Sequence, residues 1–334
     1  MNTDLRPIVF ERILKAKPWG GHALARRLNL AVEPHEPIGE SWEIADLPRN
    51  ESVVRDGRLR GASIRTLMRQ WGDALVPAAQ RVDDRFPLLI KYLDARENLS
   101  VQVHPRPRPD LPETQQPDVK HEAWYVVDAA PGAVMYVGLR DGVTPEQMQS
   151  AANTPRSAEL LQPREVRPGD CLVLPSGTPH ALGGGILVAE IQTPSDVTYR
   201  LYDWDRVGLD GRPRELHIEQ ALANIRYDVP EHEIIQPRRD GRAWIGSSQR
   251  IATLRRFAVD LIVTNDPVSR RVESPGLTIW MLLEGSCTVS LNDSPLEFNR
   301  GDTILFPAGC PAAQVSLSAS AQVLHITLPD AADE

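Results

Sequence analysis

The sequence lacks the features that mark a membrane protein, a nucleic-acid-binding protein or a disulfide-bonded secreted protein. No stretch reaches the ~18 consecutive apolar residues of a membrane span, and no basic segment followed by an apolar one opens the chain. Lysine and arginine form no run, and the formal net charge is −8, so there is no basic footprint for a nucleic acid. The three cysteines include no CxxC pair, which predicts reduced thiols in a cytoplasmic protein.

Long helical periods are also scarce, whereas the 29 prolines and 22 glycines are many. This composition favours short strands joined by tight turns, and therefore a mainly β fold. Short helical segments are predicted only at residues 63–75, 144–161 and 215–225. The 334 residues suffice for two domains. We place their boundary in a polar, Pro/Arg-rich linker, which gives domains over residues 1–235 and 236–334.

Polar and apolar residues alternate in the segment 99–105, Leu-Ser-Val-Gln-Val-His-Pro. Successive side chains of a β-strand point to opposite faces, so Ser100, Gln102 and His104 share one face. That face either meets solvent at a sheet edge or lines a cavity, and these residues alone favour neither. Lys120 and Glu122 are likewise two residues apart and project together.

One internal repeat relates the two halves of the chain. Residues 167–180 and 299–312 align without gaps, with Gly-Asp, an apolar strand, Pro-x-Gly and a further proline in each. The first copy ends in His180 and the second in Ala312. Because the fold accepts alanine at this position, we interpret His180 as a residue required for chemistry. The second copy has no equivalent of the Gln-x-His pair, so we expect no metal site there.

The first copy of the repeat resembles the second sequence motif of the cupin β-barrel, a double-sheet jelly roll. Cupins take further ligands from an earlier His-x-His pair and a downstream Glu, and these places fall on Gln102, His104 and Glu122. With His180, they supply two imidazoles, a carboxylate and an amide oxygen for one divalent ion. Zn²⁺ is the best match, although iron and manganese accept the same donors. The resemblance implies two cupin domains with short helical insertions, the C-terminal one lacking a metal site.

Four motifs in combination narrow the resemblance: Ser-x-Gln-x-His-Pro, Lys-x-Glu, Pro-x-Gly-x-x-His-Ala-Leu and Ser-Asp-Val-Thr-Tyr-Arg. Together with Lys-Pro-Trp-Gly-Gly near the start, they resemble the short bacterial form of type I phosphomannose isomerase over nearly the whole chain. The resemblance places the zinc ligands on Gln102, His104, Glu122 and His180. It also implies the active-site residues Lys120, Glu190, Asp196 and Arg200. His121 departs from the pattern, since this family often has proline there.

The implied activity is the metal-dependent interconversion of mannose 6-phosphate and fructose 6-phosphate, by proton transfer between C1 and C2 through an enediolate. A bound ion would act as a Lewis acid on the substrate oxygens. Lys120 and Glu190 are both candidate bases, and the sequence does not decide between them. Arg200 suits an anion or the enediolate, with an ion pair to Asp196 or Asp203 as its structural alternative. Substrate-side candidates are Trp19, Lys91 and Ser100.

Two other functions remain open at this point. The chain is alternatively a non-catalytic metal cupin that binds a sugar or sugar phosphate as a sensor, or a structural protein with a vestigial site. A pure binder needs no base, so the presence of Lys120 and Glu190 favours the enzyme. We expect a small sugar-phosphate substrate, no nucleic-acid or membrane partner, and a monomer or weak homodimer in the cytoplasm.

Overall fold

Strands dominate the architecture, which confirms the mainly β prediction. The computed structural model describes residues 5–33, 35–108, 118–228, 233–237, 248–272, 276–291 and 294–329. Within these ranges the chain forms 22 strands and five α-helices. In chain order the strands are β1 (Ile13–Gly21), β2 (Ile38–Ile44), β3 (Asp46–Leu47), β4 (Asn50–Glu51), β5 (Leu89–Ala95), β6 (Val101–Val103), β7 (Glu122–Ala129), β8 (Val134–Leu139), β9 (Leu161–Glu165), β10 (Cys171–Leu174), β11 (His180–Ala181), β12 (Ile186–Gln192), β13 (Tyr199–Tyr202), β14 (Gln249–Leu254), β15 (Phe257–Val263), β16 (Val268–Val272), β17 (Thr278–Glu284), β18 (Ser286–Leu291), β19 (Ser294–Asn299), β20 (Thr303–Phe306), β21 (Ala313–Leu317) and β22 (Gln322–Thr327).

The helices are short and lie largely where periodicity predicts them. They are α1 (Ala23–Leu28), α2 (Ile64–Trp71), α3 (Pro145–Ala151), α4 (Arg156–Glu159) and α5 (Ile218–Asn224). Ser63 caps α2 by accepting a hydrogen bond from the Thr66 backbone N–H, and Thr144 forms a capping box with Gln147 at the start of α3. Helix α1 was not predicted, because six residues carry too little periodicity. Among the described residues, no helix is long and apolar enough to cross a membrane.

Two large sheets and the two-stranded sheet β3-β4 form the first half of the described chain. One runs in the order β1-β2-β5-β12-β7-β10, and the other in the order β13-β6-β11-β8-β9. Apolar side chains from both pack into one core cluster, which includes Leu93, Trp124 and Val188 from the six-stranded sheet and Met135 and Val137 from the five-stranded one. The two sheets therefore face each other, and side chains on their inner faces meet.

The second half repeats this strand order. Its sheets run β14-β15-β22-β17-β20 and β16-β21-β18-β19, which matches β2-β5-β12-β7-β10 and β6-β11-β8-β9 position by position. The Gly-Asp turn is also built alike in both copies. Asp170 and Asp302 each accept a hydrogen bond from the backbone N–H three residues earlier, at 2.8 Å. The sequence repeat thus extends to the topology of a whole half.

The two halves share a hydrophobic core. One cluster joins Ile44 and Leu187 of the first half to Phe257 and Leu261 of the second. Near its edge, Arg55 donates a hydrogen bond of 2.7 Å to Asp302, and the Arg12 guanidinium lies 3.7 Å from the same carboxylate. The halves are therefore held together by apolar packing with an ion-pair group at the rim.

The domain boundary at 235/236 stays a prediction, because residues 229–232 and 238–247 lie outside the described residues. Ile235 exchanges backbone hydrogen bonds of 2.9 Å with Cys171, so this residue belongs with the first half. The three cysteines, Cys171, Cys287 and Cys310, are buried and unpaired, as predicted.

Asp302→Asn should destabilise the protein more than Asp170→Asn does. Both variants keep an oxygen that accepts the turn hydrogen bond, but only Asp302 also pairs with arginines from the other half. We expect a difference of about 1–2 kcal/mol in the free energy of unfolding, since a charge-assisted hydrogen bond at a partly buried site contributes about that much. Urea titration of both variants measures it, and equal losses would contradict the role given to Asp302.

Candidate active site

Cross-strand pairing in the five-stranded sheet brings three predicted residues into one row. Arg200 lies opposite Gln102 on the neighbouring strand, and Gln102 lies opposite His180 on the next. Side chains that lie directly opposite on antiparallel strands occupy the same face of the sheet. The alternation in segment 99–105 therefore points Gln102 toward the interior of the sandwich, and its face lines a cavity.

A second row comes from the facing six-stranded sheet. Lys91, Glu190 and Trp124 lie opposite one another on β5, β12 and β7. Glu122 begins β7 two residues before Trp124 and therefore shares its face, and Lys120 precedes it on the same side. The four charged side chains of this wall are buried, so the lysine in the apolar run of β5 does not reach the surface.

The donor atoms of His104, Glu122 and His180 converge. All lie within 4.8 Å of one another, with Glu122 Oε1 3.4 Å from His104 Nε2 and 3.2 Å from His180 Nε2. The other nitrogen of each ring, Nδ1, faces a backbone carbonyl oxygen, of Val197 at 2.9 Å and of Thr178 at 2.8 Å. These carbonyls fix the protons on Nδ1 and leave the Nε2 lone pairs directed at the cluster.

This arrangement fits a metal ion. His104 Nε2 and Glu122 Oε1 are buried, and within the described ranges neither has a hydrogen-bond donor as partner. Facing acceptors repel each other and are rarely left unsatisfied in an interior, whereas a cation satisfies both. Imidazole and carboxylate are donors that a divalent ion such as Zn²⁺ accepts.

Gln102 supplies the fourth predicted donor from the next strand. Its side-chain nitrogen lies 3.2 Å from His180 Nε2, and its oxygen accepts a hydrogen bond of 3.1 Å from Ser100 Oγ. A 180° rotation of the Gln102 side-chain amide exchanges its nitrogen and oxygen, and the oxygen then faces the His/Glu/His cluster. Ser100 thus lies where predicted, with Gln102 as its contact.

Alternating charges surround the cluster. Lys120 Nζ lies 2.8 Å from Glu122 Oε2 and 3.3 Å from Glu190 Oε1, and Lys91 Nζ lies 3.2 Å from Glu190 Oε2. Burial would raise the pKa of Glu122, but the Lys120 ammonium and its neighbours outweigh it and lower that pKa to about 2. For Glu190, burial prevails over both lysines and raises the pKa.

Burial favours the neutral form of both imidazoles. Burial lowers the pKa of His104 well below its usual value, and the Lys120 ammonium lowers it further. Burial also lowers the pKa of His180, against the opposing effect of Glu122. A neutral imidazole is the form that binds a metal ion.

A cavity of about 210 Å³ opens beside the cluster. The predicted residues that line it are Trp19, Lys91, Ser100, Gln102, Lys120, Glu190, Asp196 and Arg200. Trp19 also belongs to the core between the sheets, so it both packs and borders the cavity. The structure thus brings all eight to one place.

Four further polar residues line this cavity to which the sequence analysis assigned no role: Lys17, Glu40, Thr198 and Arg214. Lys17 and Thr198 stand within two of the motifs, Lys-Pro-Trp-Gly-Gly and Ser-Asp-Val-Thr-Tyr-Arg. Lys17 Nζ pairs with Glu40 Oε1 at 2.8 Å, and Trp42 Nε1 donates a hydrogen bond of 2.6 Å to Glu40 Oε2. For Glu40 the available signal is the alternation Glu-x-Trp of β2, which puts Glu40 on the same face as Trp42. Arg214 follows β13 in a segment without any motif.

Asp203 forms ion pairs with two arginines of the same region. It accepts hydrogen bonds from Arg206 at 2.8 Å and from Arg214 Nε at 2.7 Å, and so holds Arg214 at the cavity. Arg200 instead donates from Nη1 to the Glu215 carbonyl at 2.6 Å. Among the described residues, the ion pairs of Asp203 are thus with other arginines.

The fold and the site together define a mainly β protein with a buried His/Glu/His cluster inside a sandwich of two sheets. Comparison with known proteins refines this class. Residues 9–126 match the family described as "Phosphomannose isomerase type I, catalytic domain". Mannose-6-phosphate isomerase ManA of Bacillus subtilis (strain 168) is 32% identical over 321 residues, 96% of this chain and 99% of that protein. The chain therefore belongs to the type I phosphomannose isomerase family, as its motifs predicted.

Solved structures agree on the fold. The crystal structure of the mannose 6-phosphate isomerase from Bacillus subtilis superposes with a TM-score of 0.78 at 27% identity, covering 96% of this chain and 99% of that one. A mannose 6-phosphate isomerase bound with zinc and yttrium superposes with a TM-score of 0.71 at 16% identity, covering 97% and 100%. The predicted class of enzyme, an isomerase of this family, is confirmed.

Glu40 should make stability depend on pH in acid. Burial raises its pKa, but Lys91 and Lys17 outweigh burial and hold it at about 2, below its ordinary 4.5. A depressed folded-state pKa gives a stabilisation that is complete above pH 4.5 and is lost as the pH falls toward 2. The full stabilisation from this shift in pKa is about 3 kcal/mol.

Urea unfolding at pH 6 and pH 3 measures this effect. We expect Glu40→Gln to lose less stability than the wild type between these two pH values. The exposed Glu36 provides the matched control, since Glu36→Gln should follow the wild type. A Glu40→Gln variant with the wild-type acid dependence would show that Glu40 does not carry this linkage.

Proposed function

We propose that this chain interconverts mannose 6-phosphate and fructose 6-phosphate, using one divalent ion held by Gln102, His104, Glu122 and His180. The observation that carries the proposal is the convergence of buried Nε2 and Oε1 atoms beside a cavity with cationic side chains. Family membership supports the reaction, and the donor set suits Zn²⁺ best. A relative of the same fold that is bound with zinc supports this metal.

When bound, the ion supplies a Lewis acid for the carbonyl and hydroxyl oxygens of the sugar. The chain's own residues supply the rest. Lys120 and Glu190 lie 3.3 Å apart beside the ligand Glu122, where either can exchange a proton with C1 or C2 of a sugar in the cavity. Lys91 holds the second oxygen of Glu190 and so positions that carboxylate.

Cationic side chains line the cavity that receives the substrate. Lys17, Arg200 and Arg214 all border it, and they give an acidic chain a local site for a dianionic phosphate. Arg200 lies in the same row as Gln102, which supports a role for Arg200 next to the proposed ion. We therefore assign Arg200 to the charge that develops on the enediolate, and Arg214 and Lys17 to the phosphate.

We further propose that the two halves are two cupin domains, of which only the first holds a metal. Ala312 stands in the second half where His180 stands in the first. Thr278 begins β17 opposite Thr327, as Glu122 begins β7 opposite Gln192, so threonine occupies the position of Glu122 in the second half.

A protein that only binds the sugar phosphate would need the metal ligands but no base. The Lys120–Glu190 pair therefore supports an enzyme rather than a sensor.

Removal of the metal should abolish isomerisation reversibly. Protein treated with a chelator and then dialysed should form no fructose 6-phosphate from mannose 6-phosphate, and stoichiometric Zn²⁺ should restore the rate. A coupled assay of fructose 6-phosphate follows this, with elemental analysis of each sample. Full activity in protein shown to be metal-free would overturn the proposal.

Arg200→Lys should lower kcat much more than it raises KM. The substitution keeps the charge but loses the planar fork that contacts a developing oxyanion. Loss of one such contact typically costs about 10²–10³-fold in kcat. Steady-state kinetics measure this, with Arg69→Lys on the exposed face of α2 as the control. A rise in KM with kcat unchanged would show that Arg200 binds the substrate uniformly.

A further inference from the structure

The segment after β13 contains a buried carboxylate, Asp203, that two arginines share. Arg206 Nη2 donates a hydrogen bond of 2.8 Å to Asp203 Oδ1. Arg214 contacts both carboxylate oxygens, because its Nε donates to Oδ2 at 2.7 Å and its Nη2 donates to Oδ1. Asp203 itself is 5% exposed. The carboxylate therefore fixes the plane of the Arg214 guanidinium through two hydrogen bonds.

The turn that joins Asp203 to Arg206 is held in an unusual backbone conformation. Trp204 and Asp205 have positive φ angles of 57° and 54°, which cost free energy in residues other than glycine. Contacts to the segment before β6 stabilise the turn. Trp204 Nε1 donates a hydrogen bond of 2.7 Å to the Leu99 carbonyl, and Arg206 Nη1 donates one of 2.8 Å to the Asn98 carbonyl. Leu99 lines the active-site cavity, so the turn is fixed to the cavity wall.

Arg214 and Arg206 lie differently with respect to this cavity. Arg214 lines it, whereas Arg206 lies outside the lining that the described residues form. A second carboxylate, Glu97, is 3.8 Å from Arg206, but Glu97 is exposed and such pairs are weak. Two guanidinium groups thus share one buried carboxylate. The positive charge that stays unbalanced is available at the cavity through Arg214.

A neighbouring arginine indicates what this charge binds. Arg200 lines the same cavity. Burial lowers the pKa of Arg200, and the Arg214 and Arg206 guanidinium groups lower it further, against the opposing effect of Asp203. Arg200 and Arg214 are therefore close enough to repel each other. An anion in contact with both replaces this repulsion by attraction, and guanidinium groups match phosphate oxygens through paired N–H donors.

We propose that Asp203 is a positioning residue for recognition of the substrate phosphate, and that Arg206 is its counterion. Asp203 fixes the Arg214 guanidinium at the cavity. Arg206 neutralises Asp203, so that the charge of Arg214 remains for the phosphate. Asp203 acts through Arg214 and not by contact with the substrate. This inference rests on the proposed function, because it takes the ligand of Arg214 to be the phosphate of a sugar phosphate.

Calorimetric titration with glucitol 6-phosphate, on protein supplied with Zn²⁺, tests this inference. The probe is an open-chain sugar phosphate without a carbonyl group, so it binds without being isomerised. Asp203→Asn should weaken binding at least ~10-fold, because Arg214 loses its fixed position and with it a charge-assisted hydrogen bond. Charge alone predicts the opposite result, since Asp203→Asn removes a negative charge near an anion.

A double-mutant cycle measures whether Asp203 acts through Arg214. Arg214→Gln alone should weaken binding at least ~10-fold, and adding Asp203→Asn to it should cause no further weakening. Asp205→Asn is the matched control. Asp205 is an exposed carboxylate of the same turn that accepts a hydrogen bond from the Tyr202 hydroxyl, and its substitution should leave the affinity unchanged.

Arg206→Gln is the second variant, and it keeps the test decisive if near-ultraviolet circular dichroism shows that Asp203→Asn does not fold. It should weaken binding several-fold, although Arg206 lies outside the cavity lining, because Arg214 then neutralises Asp203.

Four results would overturn the inference: unchanged or tighter binding in a folded Asp203→Asn protein, additive effects of Asp203→Asn and Arg214→Gln, unchanged binding in Arg206→Gln, or no binding by the unaltered protein. The proposed function fails separately, if the unaltered protein forms no fructose 6-phosphate from mannose 6-phosphate.

Discussion

The site depends on the buried carboxylate of Glu122. This side chain is 0% exposed, with the Lys120 ammonium 2.8 Å from one oxygen and two imidazole nitrogens near the other. A buried carboxylate without partners takes up a proton or destabilises the fold. The Lys120 ammonium favours the ionised form of Glu122, whereas burial disfavours a positive charge on either imidazole. A metal ion would satisfy the lone pairs of this constellation, and this is the basis of the proposed metal site.

The sandwich creates this constellation through cross-strand rows on facing sheets. The second half has the same strand order and an equivalent row of cross-strand neighbours, but the side chains in that row are different. His325 lies opposite Asp260 and Trp280, where Glu190 lies opposite Lys91 and Trp124 in the first half. Asp260 is then paired with Arg250 at 2.8 Å. The architecture thus forms without the proposed metal ligands, and those ligands are an addition of the first half.

Sequence periodicity predicted the parts of the site that depend on one strand at a time. Alternation placed Gln102 and His104 on one face, and the spacing of Lys120 and Glu122 predicted that these two side chains also share a face. The repeat identified His180 by contrast with Ala312. Each of these inferences needs only the two-residue period of a strand and an internal comparison.

Contacts between distant segments could not be predicted in this way. Arg214 reaches the cavity because Asp203, in another segment, holds its guanidinium, and neither residue belongs to a periodic pattern. Lys17 joins the site through Glu40 of the next strand, which requires knowledge of how β1 and β2 pair across a bulge.

Anomalous X-ray diffraction from crystals grown with Zn²⁺, recorded on both sides of the zinc absorption edge, tests the central claim most directly. The account predicts one strong peak per chain, in contact with His104 Nε2, Glu122 Oε1 and His180 Nε2, and no peak in the second half. A peak elsewhere with this cluster empty, or a second peak of equal strength near Ala312, would contradict it.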